Sequence, residues 1–360
     1  MKYSILHITP DFNYACGRSY YSFILMKHLH LRGHNVILLT NKGDSLDRLD
    51  DYGIPYILKS SVHNKSLISF TKGINSISGL IKQYDFDIIH TYHRYSELLA
   101  VQAVRLHRKK KIKTVFTSLS LVNRRYSLEF KSDKIIAVSH AVKNMLRRKF
   151  KVKDSKIVLI PNFTDTDELN EMETFAEGTK DHGKYFNVLS AGRFHPDKNY
   201  ELLFTALKLL NEKTVKLLLI GEGENLESYR AIIKKNKLNA EIIRPQKDLS
   251  SYFMTADVCV LPSKRDPFPS FMLQSGLHKK PFIGSNIDGI AELIKNNYNG
   301  LLFDNKSPLE LAYKIYQFKT DKELAKKCAE NLHNRVVNRY TQEFVVPRIE
   351  RVYRELVKPK

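Results

Sequence analysis

The stretch Val258–Cys259–Val260–Leu261–Pro262–Ser263–Lys264–Arg265–Asp266–Pro267–Phe268–Pro269–Ser270–Phe271–Met272–Leu273–Gln274 decides the reading of this chain. Four apolar residues, Val258 to Leu261, read as a buried strand, and the prolines and polar residues after them as a turn. An apolar run from Ser270 then reads as a helix and carries Gln274, eight positions after Asp266. A second strand, Pro281–Phe282–Ile283–Gly284, leads into another turn, Asp288–Gly289–Ile290–Ala291–Glu292. Two polar side chains therefore flank a strand-to-helix junction, where backbone N–H groups point outward. That arrangement suits a ligand with many hydroxyls and a phosphate.

Working outward, strand-like and helix-like runs alternate along both halves of the chain. Tyr3–Ile8, Asn35–Thr40, Ile54–Leu58, Asp87–His90, Lys113–Thr117, Lys134–Val138 and Lys156–Ile160 read as strands of a first unit. Ser19–Leu31 reads as its first helix, ended by Gly33. A polar excursion over Thr164–Lys184 separates it from a second unit, with strands at Phe186–Ser190, Lys216–Ile220, Glu241–Ile243, Val258–Leu261 and Phe282–Ser285. Tyr200–Leu210 and Leu226–Asn236 read as helices between them, and Thr341–Val357 as a final amphipathic helix. Such alternation argues for two α/β domains with parallel, doubly wound sheets, each carrying ligand groups at the carboxyl ends of its strands.

The 360 residues carry a net charge of +21, and it is uneven. Residues 105–156 hold 17 basic and 3 acidic side chains, among them Arg105, Arg108 to Lys111, Lys113, Arg124, Arg125 and Arg147 to Lys149. This bias suits an anionic membrane surface; a plain solvated face is the alternative. No apolar run reaches the roughly 18 residues of a membrane span, and the N-terminus is too short an apolar run for a signal peptide. Three widely spaced cysteines, Cys16, Cys259 and Cys328, show no metal-ligand spacing and suit a reducing compartment. The expectation is a cytoplasmic protein, peripheral on an inner membrane.

Taken in order, these segments resemble the retaining glycosyltransferases of family four (glycosyl transferases group 1). The resemblance covers nearly the whole chain and is strongest over residues 188–303. It implies the GT-B fold: two Rossmann-like domains facing each other across a cleft, with the last helix crossing back to the N-terminal domain. The boundaries would be 1–163 for the acceptor-side domain, joined by the helix at 341–360, and 164–340 for the donor-binding domain. Ala191–Gly192–Arg193–Phe194–His195–Pro196–Asp197–Lys198–Asn199 is similar to the family's phosphate-binding turn. Arg193 and Lys198 would neutralise the leaving diphosphate of a nucleotide-sugar without a metal or other cofactor; the bland alternative is a pair of surface cations. Asp266 would lie near the transferred sugar, and Gln274 would hold ribose hydroxyls through its amide. Both positions are Glu in the family, so this chain departs at each. Gly192, Gly221, Phe268, Ser270 and Phe271 would line the donor, with backbone N–H groups turned toward it.

In the first domain, Ala15–Cys16–Gly17–Arg18–Ser19 stands where the family has a Gly-rich loop, so Gly17 would approach the diphosphate and Arg18 the acceptor side. Asp87–Ile88–Ile89–His90–Thr91–Tyr92–His93 resembles the family's strand-end His motif, which puts His90 and His93 on the acceptor side. Phe116–Thr117–Ser118–Leu119–Ser120 lacks the His frequent in the family after the next strand. A front-face retaining transfer, in which the leaving phosphate takes the acceptor proton, is therefore implied. No Asp-x-Asp cluster follows a strand in a position to hold Mg²⁺ beside a diphosphate; Asp165–Thr166–Asp167 falls in the polar excursion, so no metal site is expected. The partners implied are a nucleotide-sugar donor, a glycan or lipid-linked acceptor, and the anionic membrane, in lipopolysaccharide or capsule synthesis. Two other classes compete. An inactive sugar-nucleotide-binding or scaffold relative would bind without turnover. A nucleic-acid-binding protein is disfavoured, because the basic residues are not interleaved with a stacking platform.

Overall fold

The computed structural model describes residues 2–63, 66–124, 128–167, 169 and 184–357. Most of the polar excursion, and Arg125 of the basic cluster, lie outside them. The chain forms two compact units, Met1–Asn162 with Gln342–Lys360, and Phe163–Thr341.

The first unit holds β1 (Ser4–Ile8), α1 (Gly17–Leu31), β2 (Asn35–Thr40), α2 (Asp47–Asp50), β3 (Tyr56–Leu58), α3 (Leu67–Gln83), β4 (Ile88–Thr91), α4 (Arg94–Leu106), β5 (Lys113–Ser118), β6 (Lys134–Ala137), α5 (His140–Asn144) and β7 (Ile157–Leu159). The second holds β8 (Phe186–Ala191), α6 (Tyr200–Leu210), β9 (Val215–Ile220), α7 (Leu226–Lys235), β10 (Ala240–Ile243), α8 (Ser250–Thr255), β11 (Val258–Leu261), α9 (Ser270–Leu277), β12 (Phe282–Ser285), α10 (Asp288–Leu293), β13 (Leu301–Phe303), α11 (Pro308–Thr320) and α12 (Lys322–Val337). The last helix, α13 (Gln342–Leu356), returns to the first unit.

Every strand pairing is parallel, in the orders β3-β2-β1-β4-β5-β6-β7 and β10-β9-β8-β11-β12-β13. Helices cover both faces of such sheets, so the strands are apolar almost throughout, as in Val36 to Leu39 and Val258 to Leu261. Each order reverses at one place, between β1 and β4 and between β8 and β11. A crevice opens at such a reversal, outside the carboxyl ends of the strands. Strand β13, three residues long, is a strand that the sequence reading did not include.

Helix α13 buries Val345, Val346, Ile349, Val352 and Tyr353. It is tied to its unit by His34 Nε2 to Glu350 Oε1 at 2.9 Å, and by Arg348, which donates to the Leu159 carbonyl at 2.9 Å. The basic run Arg108 to Lys111 forms a turn directly before β5. It therefore lies at the amino edge of the first sheet, away from the strand carboxyl ends. Among the described residues, no helix is long and apolar enough to cross a membrane.

Candidate active site at the second sheet's reversal

After β8 the chain turns at Gly192, whose φ is +150°. Phe194 is fully buried against Tyr200 and Tyr229, which pins the loop from below. Arg193, between these two, is exposed, and its guanidinium has no partner among the described residues. His195 caps the short turn Pro196–Lys198 by accepting the Asp197 N–H at 3.2 Å. The Lys198 ammonium then reaches Asp266 Oδ2 at 2.6 Å. Arg193 and Lys198 thus sit on one loop at the reversal point, one cation free and the other paired.

The next strand-end turn, after β9, explains its own glycines. A Cβ on Gly221 would stand 2.1 Å from the Gly192 carbonyl oxygen, and one on Gly223 would stand 2.5 Å from that of Phe194. Backbone bonds from Gly192 N–H to Ile220 and from Phe194 N–H to Glu222 stack the two turns, at 3.0 and 2.7 Å. Protein backbone fills the space beside Gly221, so close packing accounts for that glycine without a ligand.

The loop after β11 is bound to both neighbouring loops. The Lys264 N–H donates to Asp197 O at 2.7 Å, the Asp266 N–H to Asp288 Oδ2 at 3.2 Å, and the Gly289 N–H to Asp266 O at 3.1 Å. The Asp266 side chain is 5% exposed and Lys198 is 25% exposed. Ser263 Oγ lies 3.5 Å from the same Asp266 oxygen. Helix α9 opens at Ser270 after Pro269, whose missing N–H removes one orphan donor. Phe268 stacks on Tyr340 and Phe271 on Phe253, with ring centroids 5.6 and 5.4 Å apart. Both aromatic side chains are therefore core. Ser270 and Gln274 are half-buried on α9.

Asp288 is the residue that sequence reasoning quoted but gave no role. Its φ is +40°, in the left-handed region. Burial raises its carboxyl above the usual range, partly offset by the hydrogen bond from Asp266. The signal for it was present: an Asp-Gly pair directly after a strand.

In the first unit two expectations need correcting. The first helix does not start at Ser19; α1 begins at Gly17, so Gly17, Arg18 and Ser19 form its first turn, with Cys16 at the N-cap. Arg18 is occupied there, donating to Asp11 Oδ1 at 2.6 Å and to Thr9 Oγ1 at 3.0 Å. His90 does not face a ligand. It is fully buried, with Nδ1 on the Tyr353 hydroxyl at 2.6 Å and Nε2 on Thr117 Oγ1 at 2.7 Å. Both ring nitrogens are spent on protein, and the ring braces α13 against the sheet. Burial, then neighbouring His7, holds its pKa well below the usual imidazole value. His93 is half-buried at the start of α4, where its Nδ1 accepts the Tyr95 N–H at 3.2 Å.

Two Rossmann-like parallel sheets, with cations and a buried carboxylate at one reversal, define the architecture of a GT-B glycosyltransferase. Two family models match the chain: Glycosyltransferase Family 4 over residues 17–168, and Glycosyl transferases group 1 over residues 171–335. The chain belongs to this glycosyltransferase family. It is 23% identical over 351 residues to the UDP-Gal:alpha-D-GlcNAc-diphosphoundecaprenol alpha-1,3-galactosyltransferase of Escherichia coli, covering 89% of each. It is 25% identical over 237 residues to the capsular polysaccharide biosynthesis glycosyltransferase CapM of Staphylococcus aureus, covering 62% of each. Among solved structures, a glycosyltransferase of Rickettsia africae superposes with a TM-score of 0.82 at 24% identity, over 100% of both chains. HepE of Anabaena in complex with UDP and glucose superposes with a TM-score of 0.82 at 15% identity, over 97% of this chain and 99% of that one.

Proposed function

We propose that this glycosyltransferase takes a sugar from a nucleotide-diphosphate donor bound at the β8/β11 reversal. It transfers the sugar, with retention, to a hydroxyl of a glycan or lipid-linked glycan in bacterial surface polysaccharide synthesis. The observation that carries this reading is the pairing of an unpartnered Arg193 with a Lys198 held by Asp266 on one strand-end loop. Two cations on one loop, one held in place and one free to reach a diphosphate, would stabilise the charge that develops as the glycosidic bond breaks. Charge-assisted bonds from Arg and Lys to phosphate oxygens are the strong kind. Gln274, on α9, donates and accepts through its amide and suits ribose hydroxyls.

With these groups, the chemistry needs no protein nucleophile. The leaving phosphate oxygen accepts the proton of the acceptor hydroxyl on the face where that hydroxyl attacks, and the protein supplies orientation and charge. His93 would face the acceptor. The excess of basic residues over 105–156 supports a peripheral position on an anionic inner membrane, where a lipid-linked acceptor is held. The names of the Escherichia coli and Staphylococcus aureus relatives support the polysaccharide setting.

The test is turnover of a panel of UDP-, GDP- and ADP-sugars, with and without acceptor glycans. One nucleotide class should be consumed. Arg193→Ala and Lys198→Ala should each slow it about 10²–10³-fold, the scale of one lost charge-stabilising donor. Near-normal turnover in both folded variants would place the donor elsewhere.

A further inference from the structure

We propose that Asp288 is a positioning residue: its carboxylate fixes the backbone of Asp266, Asp266 fixes the Lys198 ammonium, and Lys198 meets the leaving phosphate. The last link alone rests on the donor reading above; the first two are contacts within the protein.

A lysine head on a flexible four-carbon stem has many rotamers and defines no position by itself. Here the head lies 2.6 Å from a carboxylate that is almost wholly buried, so it has one place to be. Asp266 in turn lies on an irregular loop beside Pro267, outside any strand or helix. The start of α10 holds its peptide on both sides. Asp288 Oδ2 accepts the Asp266 N–H at 3.2 Å, and the Gly289 N–H donates to the Asp266 carbonyl at 3.1 Å. Gly289 has no side chain because the Pro267 carbonyl oxygen stands 2.0 Å from where its Cβ would be. The two loops are therefore in backbone contact, and a shift in one moves the other.

The cost of this arrangement sits at Asp288. A non-glycine residue at φ +40° carries backbone strain. Glycine would occupy the same backbone freely. What aspartate adds is the carboxylate that grips Asp266. The three residues belong to loops after β8, β11 and β12, which are neighbours in the sheet, so the grip spans the reversal point.

Asp288→Gly removes the carboxylate and relieves the strain, so the variant should fold. Asp288→Asn keeps an acceptor oxygen on a residue that tolerates the same φ. In a crystal structure of Asp288→Gly, the Lys198–Asp266 pair should open beyond 4 Å, whereas Asp288→Asn should retain it. With the nucleotide-sugar that the panel identifies, Asp288→Gly should lower kcat about tenfold with donor KM within about twofold, as expected when a charged group is misplaced. Asp288→Asn should recover to within about threefold. In a Lys198→Ala background, Asp288→Gly should cost less than about twofold more, because both changes act on one group. The proposal is overturned if the pair stays closed in Asp288→Gly, if that change multiplies in full on Lys198→Ala, or if Asp288→Asn is no better than glycine. A wild-type protein that consumes no nucleotide-sugar would refute the donor reading instead, and the crystal structures would then decide the Asp288 relay.

Discussion

Lowering the pH should unfold the first unit through a histidine that is sealed in it. His7 lies on β1, fully buried, beside His90 and hydrogen-bonded to the Tyr92 hydroxyl. Burial, and then neighbouring His34, lowers its pKa from 6.5 to about 3. The unfolded chain takes up this proton near pH 6.5, while the folded protein resists it until about pH 3. Between those values the unfolded state binds more protons, so stability falls as pH falls, by about 1.4 kcal/mol per unit for one such group. From pH 7 to pH 4.5, His7 alone should cost about 2.5 kcal/mol. His7→Leu removes this penalty while roughly conserving volume. It leaves the Tyr92 hydroxyl short of a partner at both pH values, and that loss of about 1–3 kcal/mol cancels in the comparison. Urea unfolding of both proteins at pH 7 and pH 4.5, followed through the first unit's transition, gives the double difference. The wild type should lose about 2–3 kcal/mol more than His7→Leu. A difference below about 0.5 kcal/mol would show that the imidazole is not shielded as the geometry requires.

Further outcomes test the site and the surface. If Arg193 and Lys198 supply the charge that a metal would, turnover should stay within about twofold in EDTA; loss on chelation, restored by Mg²⁺ or Mn²⁺, would contradict that division of labour. Gln274→Glu should keep activity within about tenfold and Gln274→Leu should raise donor KM; a large fall in kcat at unchanged KM would assign Gln274 a chemical role. Binding to anionic liposomes should weaken as salt rises from about 50 to about 500 mM. Joint replacement of Arg108, Lys109, Lys110 and Lys111 by Ser should weaken it further. That run lies at the amino edge of its sheet, so turnover of a soluble acceptor analogue should not change, and liposome binding equal to the parent's would remove the membrane contact.

Most of the architecture is legible in local sequence. Runs such as Val258 to Leu261 and the helical spacing of Tyr200–Leu210 mark elements that need no distant information, because burial on both faces of a parallel sheet makes strands uniformly apolar. The position of Lys198 is not legible in this way. Its partner Asp266 is 68 residues on, and only the sheet order brings the two loops together. His90 shows the same limit more sharply. A histidine at a strand end reads as a ligand group until a tyrosine 263 residues later closes over it. Gly221 is ambiguous from sequence for the opposite reason: a glycine at a strand end suits a ligand, and equally suits the backbone of a neighbouring turn.

The return of α13 to the first unit has a consequence for how the polypeptide is made. Residues 1–162 leave the ribosome before the second unit, yet their fold is completed by Gln342–Leu356, which follow it. Until then Tyr3 and His90, at the central strands β1 and β4, lack the cover of Tyr353. The second unit, contiguous in sequence, has no such wait. The nascent chain should therefore mature out of order, the second unit before the first, and for that interval residues 1–162 are a natural client for chaperones. A stop codon just before Gln342 would make the interval permanent.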